Sequence, residues 1–174
     1  MKMLFASDIH GSFSDMEELI ERIREERPSF IMFLGDFCGY SEDLIFGESM
    51  GKLTVPYAYV RGNCDNPSVL SSFGLSPEAY VCAEKFGKRY VYGTHGHIYN
   101  CVNPVPTVKK GDIFVCGHTH IPALFYKDGV NMINCGSMAR PRASDGKTYA
   151  VIDDNKAYIK NGLTGETIRE IKLI

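Results

Sequence analysis

Tryptophan is missing from this 174-residue chain, and histidine is scarce, at five copies. Long apolar runs are missing too: none approaches the roughly 20 residues of a membrane-crossing helix. The opening Met-Lys-Met-Leu-Phe-Ala-Ser-Asp reaches a carboxylate at Asp8, too early for the apolar core of a signal peptide. The chain is therefore expected in the cytoplasm, off the membrane. Neither charge sign dominates, with 19 basic against 21 acidic residues. That leaves no basic excess to hold a nucleic-acid backbone, so no stable nucleic-acid complex is expected. Cys38, Cys64, Cys82, Cys101, Cys116 and Cys135 form no C-x-x-C pair, which speaks against a zinc knuckle. Without a secretory signal a disulfide framework is not expected either, and most of them read as small buried apolar residues.

What is present reads as one domain over residues 1–174, long enough to bury a full core. A strand over residues 2–7 is followed by a helix from Asp15 to Arg27, with capping-box spacing at Ser14 and Glu17. Phe30–Leu34 is apolar without alternation, as in a strand buried on both faces. Residues 40–53 read as a short helix or loop, and Val55–Val60 as a third strand. Asn66-Pro67 reads as a turn, with no assignment for 68–74. From Ala79 the pattern changes to hairpins. Ala79–Phe86 and Arg89–Tyr92 flank a Gly87-Lys88 turn, and Pro104, Pro106 and Gly111 exclude a long helix over 98–111. Strands follow at Ile113–Cys116, Ala123–Tyr126, Val130–Asn134, Tyr149–Asp153, Ala157–Lys160 and Thr167–Leu173. This is a mixed layered α/β fold.

Histidine placement carries the chemistry. Asp8-Ile9-His10, His95-Gly96-His97 and His118-Thr119-His120 contain every histidine of the chain, and each triplet follows a strand. If the chain stays extended there, residues spaced i, i+2 point the same way. Gly35-Asp36 and Gly62-Asn63-Cys64-Asp65 also follow strands. Singly, Asp36 reads as a cap or turn residue and Asn63 as a turn former. Together, two carboxylates, four imidazoles and an amide (Asp8, His10, Asp36, Asn63, His95, His118, His120) could hold two divalent ions with Asp36 bridging. A nitrogen-and-oxygen set without thiolate suits manganese, iron, nickel, zinc or cobalt. Such a pair activates water as hydroxide and clamps the oxygens of an in-line displacement at phosphorus.

Asp8-x-His10, Gly35-Asp36, Gly62-Asn63, His95-Gly96-His97 and Gly117-His118-Thr119-His120 resemble the five blocks of the calcineurin-like metallophosphoesterases. Gly-Asn-Cys-Asp, His-Gly-His and the Asn134-Cys135-Gly136-Ser137 bend resemble more narrowly the YfcE-like small phosphodiesterases of that superfamily. The resemblance implies a four-layer αββα sandwich with two mixed β-sheets. It also implies a binuclear metal centre with manganese as the first choice. Asp8, His10 and His120 would hold one ion, Asn63, His95 and His118 the other, and Asp36 would bridge. Where the family usually has Gly-Asn-His-Glu, this chain has Cys64-Asp65, so the usual proton donor is missing. Asn63, Cys64 and His97 are the candidate catalytic residues. His97 is either a replacement donor or a hydrogen-bond partner of a ligand. Cys64 is a poor acid, and a thiol beside cations would be open to oxidation. Asp65 is expected to orient its loop, and Arg61, Arg140 and Arg142 to be solvated surface charges rather than phosphate partners.

The expected function is a metal-dependent phosphodiesterase acting on a small phosphodiester. A monoesterase or nucleotide hydrolase of the same superfamily is an alternative. So is a non-catalytic binding scaffold, as in the retromer subunit of this fold. A homo-oligomer is compatible with apolar Phe46 and Met50.

Overall fold

A computed structural model describes residues 1–38 and 43–174, with backbone alone for 43–46. In chain order its elements are β1 (Met3–Ala6), α1 (Phe13–Glu26), β2 (Phe30–Phe33), α2 (Asp43–Gly51), β3 (Tyr57–Tyr59), α3 (Pro67–Ser72) and β4 (Val81–Phe86). There follow β5 (Arg89–Thr94), β6 (Ile113–Cys116), β7 (Ala123–Lys127), β8 (Val130–Asn134), β9 (Thr148–Ile152), β10 (Lys156–Asn161) and β11 (Thr167–Lys172). One sheet runs β11-β10-β9-β1-β2-β3 and the other β4-β5-β6-β8-β7. Both are mixed. β1, β2 and β3 pair in parallel, as do β5, β6 and β8, and antiparallel strands complete each sheet.

The apolar strands divide their side chains between two cores because successive residues face opposite ways. Leu4, Ala6, Ile31 and Phe33 pack under α1 and α3 with Leu19, Ile20, Ile23 and Leu70. Met3, Phe5, Met32 and Leu34 face the second sheet and meet Val91, Ile113, Val115 and Ile133. β1 is thus buried at all four positions. A third cluster lies on the far face of the second sheet, where Phe114, Cys116 and Met132 are covered by Cys101, Tyr99, Val105 and Val108. Among the described residues, that outer layer is the irregular, proline-bearing segment 98–111 and not a regular helix. The Gly87-Lys88 turn joins β4 to β5 with Phe86 opposite Arg89, as expected.

Several boundaries differ from the sequence reading. Helix α1 is capped by Ser12, not Ser14: Ser12 is extended and its Oγ accepts from the Asp15 amide at 3.4 Å. The helix ends at Arg27 in a left-handed conformation, directly before Pro28. Asn66-Pro67 opens α3 instead of a turn. Asn66 Oδ1 accepts from Ser68 N at 2.9 Å, and Pro67 occupies the first turn, where its missing N–H costs nothing. Of the 40–53 segment, read as a short helix or loop, Asp43–Gly51 forms helix α2, and residues 40–42 lie outside the described set. The Phe46 side chain lies outside that set as well, while Met50 is buried in the helix-side core. The six cysteines form no disulfide with one another, and four of them are buried. No described helix is long and apolar enough to cross a membrane.

Candidate metal centre and its cleft

The parallel strands of both sheets bring their carboxyl ends to one edge, where α/β sheets present ligand sites. β1 leads into Asp8 and His10, β2 into Asp36, β3 into Asn63, β5 into His95 and His97, and β6 into His118 and His120. The chain does not stay extended there. Asp8, His10, Asp36, His118 and His120 have φ of 61, 51, 56, 67 and 61°, in the left-handed region. Among the described non-glycine residues, only Arg27 and Asp128 share it. Each such residue costs about 1 kcal/mol or more and persists only where its surroundings enforce it. Here Asp8 N donates to Gly35 O (3.1 Å), His10 N to Asp36 O (2.8 Å) and His118 N to Asp8 Oδ2 (3.0 Å). Gly62 allows the two loops to touch, since a Cβ on it would lie 2.0 Å from Asp36 Oδ1.

All seven predicted ligand residues come together. His120 Nε2 lies 3.1 Å from Asp8 Oδ1, with His10 Nε2 3.7 Å from the same oxygen and 3.5 Å from His120 Nε2. His95 Nε2 stands 3.3 Å from Asp36 Oδ2, 3.1 Å from Asn63 Oδ1 and 3.2 Å from His118 Nδ1. Asp36 Oδ2 is also 3.9 Å from His10 Nε2, so this carboxylate lies between the two groups. Two imidazoles are oriented from behind: His95 Nδ1 meets Leu34 O at 2.7 Å and His120 Nδ1 meets Arg140 O at 2.6 Å. A carbonyl can only accept, so each Nδ1 carries the proton and Nε2 is turned into the cluster. Asp8 Oδ1 is buried and has no hydrogen-bond partner among the described residues. Cys64 converges with His10 and Asp36 as well, closer to the donor atoms than a mere turn residue need be.

Charge is tightly coupled here. Burial opposes ionisation of Asp36, but contact with His95 and the Cys64 amide (2.7 Å) outweigh it and hold its pKa well below the usual carboxylate range. His95 is raised in return: burial lowers it, and Asp36 more than compensates. The neighbouring Asp8 carboxylate raises His120. Burial lowers His10, against the pull of Asp36 and Asp8. His118 and His97 are lowered by burial and then by His95. Burial and Asp36 push the Cys64 thiol up to about 11, so in the metal-free chain it is not the thiolate that oxidation sensitivity would need.

The cluster floors a cleft of about 670 Å³, lined also by Thr119, Arg140 and Arg142. Arg140 and Arg142 are exposed, as the reading as solvated charges expects, and they also line this cleft. Arg61 does not: its guanidinium bonds Pro77 O (3.2 Å) and Tyr80 Oη (3.0 Å). His97 packs at a tilt against His95, His118 and Tyr80, with ring centroids 5.3, 6.2 and 5.9 Å away. Its Nδ1 is buried and has no partner, and no bond joins it to a ligand residue among those described. Asp65 is a loop organiser. It accepts from the amides of Asp36 (2.9 Å), Phe37 (3.0 Å), Cys38 (3.0 Å) and Gly62 (2.7 Å) and from Tyr59 Oη (2.8 Å).

Residues 1–157 match the calcineurin-like phosphoesterase superfamily domain. The chain belongs to this superfamily. Phosphodiesterase YfcE of Escherichia coli K12 is 29% identical over 168 residues, 89% of each chain. The probable metallophosphoesterase YsnB of Bacillus subtilis is also 29% identical, over 87% of this chain and 83% of its own. The solved structure of the E. coli YfcE phosphoesterase superposes over the whole of both chains with a TM-score of 0.89 at 25% identity. Vps29 of Entamoeba histolytica, solved with zinc, matches at a TM-score of 0.65 and 19% identity, over the whole of both chains, and shares the fold.

Proposed function

We propose that this phosphoesterase-superfamily chain is a metal-dependent phosphodiesterase acting on a small phosphodiester. The observation that carries the reading is the buried, unpartnered Asp8 Oδ1 facing imidazole nitrogens at 3.1 and 3.7 Å. A buried carboxylate oxygen without a donor is costly, and a cation relieves that cost. The donors suit such ions: imidazole nitrogens, carboxylate oxygens and one amide. Asp8, His10 and His120 would hold one divalent ion, Asn63, His95 and His118 a second, with Asp36 shared. Manganese is our first choice, with iron, nickel, zinc or cobalt able to substitute. Such ions supply Lewis-acid polarisation of phosphoryl oxygens and a lowered pKa of water. The relatives named as phosphodiesterase and metallophosphoesterase support the same activity.

The chain's own residues set the preference among esters. A proton donor works best with a pKa near the working pH. Burial and Asp36 push the Cys64 thiol up to about 11, far above pH 7, and burial pushes His97 down from its ordinary value. Esters whose leaving group departs without a proton are favoured, and His97 is our candidate for assisting poorer ones. Asn63 Oδ1 faces His95 Nε2, which ties the catalytic loop to the ligand set. The complete donor set weighs against a pure scaffold. We read residues 1–174 as one functional unit working in the cytoplasm, with self-association compatible with catalysis.

The test is hydrolysis of bis-p-nitrophenyl phosphate beside p-nitrophenyl phosphate, metal-stripped and with manganese restored. Manganese-dependent diester cleavage is expected. Dominant monoester cleavage would favour the monoesterase alternative, and inertness with every metal tried would favour the scaffold.

A further inference from the structure

The two arginines at the cleft are built in, not incidental. Arg140 N donates to Ser137 Oγ at 2.9 Å, and its carbonyl accepts from His120 Nδ1 at 2.6 Å. Arg142 N donates to His120 O at 3.0 Å, and Ser137 Oγ itself donates to Asp8 O at 2.9 Å. Pro141 stands between them and restricts the Arg140 backbone to extended conformations. Backbone at both arginines is thus fastened to the strand-end residues of the metal cluster.

Their guanidinium groups are treated unlike most others in the molecule. Arg22, Arg24 and Arg169 engage carboxylates, while Arg61 and Arg89 bond carbonyls. Among the described residues, neither Arg140 nor Arg142 has a side-chain hydrogen bond or ion pair. Asp145, the nearest carboxylate along the chain, is taken by Arg169 at 2.7 Å. Within the cluster Asp8 Oδ2 accepts from His118 N, and Asp36 accepts from Cys64 N beside His95. Two exposed cations without side-chain partners among the described residues therefore line the cleft together with Asn63 and Cys64.

A simple phosphodiester carries one negative charge at phosphorus, where the metal-ligand cluster already addresses it. Two further guanidinium groups match a second anionic group, since planar forks pair with phosphate by charge-assisted bonds. We propose that Arg140 and Arg142 select phosphodiesters of which one arm bears an additional phosphate, held along the His120 side of the cleft. This rests on the phosphodiesterase reading above and names its substrate class.

The test uses matched esters with the same leaving group, on the manganese-loaded enzyme. These are thymidine 5′-(p-nitrophenyl phosphate) and its 3′-phosphorylated counterpart. The expected kcat/KM ratio favours the 3′-phosphate by about tenfold or more, since a charge-assisted bond carries that much discrimination. R140Q and R142Q should each shrink the ratio, and the double variant should bring it within about twofold of one. A wild-type ratio near one, or a ratio that survives the double substitution, overturns the proposal. Calorimetric titration with thymidine 3′,5′-bisphosphate against thymidine 5′-phosphate gives the same comparison without turnover. Failure of both esters to react would overturn the phosphodiesterase reading, while the binding ratio would still decide the role of the arginines. Equal binding of the two nucleotides would refute it.

Discussion

Asp65 and Asp8 are both buried carboxylates on strand-end loops of the first sheet, 3% and 0% exposed. Asp65 is surrounded by donors: four backbone amides and the Tyr59 hydroxyl converge on its two oxygens. Asp8 has the His118 amide on one oxygen and, among the described residues, no hydrogen bond on the other. Burial without compensation is expensive, so a fold keeps it only where something else supplies the missing partner. The contrast separates a carboxylate that shapes the loops from one that awaits a ligand. Sequence distance from a ligand position does not reveal it, because Asp65 is only two residues from Asn63.

Substitution breaks the contrast most sharply. Asp8→Asn should cut phosphodiester turnover by about a thousandfold, on the scale of a lost transition-state interaction. It should leave the metal-free chain as stable as wild type, or slightly more so, by thermal melting. A well-folded Asp8→Asn enzyme with normal turnover would remove Asp8 from the ligand set. Asp65→Ala should do the reverse. It strands buried amides and a hydroxyl, and should cost about 3 kcal/mol in urea denaturation. Little loss of stability there would mean water replaces the carboxylate. Manganese at a hundredfold its Kd should stabilise the wild type by about 2.7 kcal/mol, and Asp8→Asn by much less.

The smallest effect concerns a third carboxylate, Glu26, which is compensated by side chains. Lys160 and Lys2 pair with it, Lys2 at 3.0 Å, and Tyr149 Oη donates at 3.0 Å. Burial alone would raise its pKa, but these partners lower it below the ordinary 4.5. A depressed pKa adds stability that is complete above the unfolded value and disappears as pH falls through the folded one. Glu26→Gln should therefore be less stable than wild type by about 1 kcal/mol at pH 7, discounted for the partly exposed lysines. The gap should close below about pH 4.5 as wild-type Glu26 protonates. A gap independent of pH would show that packing, not charge, holds this group.

The strands were legible because apolar runs such as Ile113–Cys116 leave little other choice. Helix ends were less so. Ser12 and Ser14 both offer capping oxygens, and what decides for Ser12 is the left-handed backbone at His10 and Gly11, which turns the chain into the helix there. Asn66-Pro67 carries turn chemistry and helix-start chemistry at once. The ligand residues were legible as strand-end pairs, although not for the reason of extended backbone, since His118 and His120 are left-handed. Arg140 and Arg142 left no local mark. Their closeness to His120 comes from the pairing of β6 with β8, a long-range fact.

The left-handed backbone at Asp8, His10, Asp36, His118 and His120 also bears on directed evolution. Glycine adopts that conformation freely, so replacing His10 or His118, whose side chains accept from no loop amide, should relax the metal-free fold. A selection scored on heat resistance alone would then drift toward glycine at the very positions that carry the chemistry. It would return hardier proteins with no activity, unless survival in the screen also required turnover or bound metal.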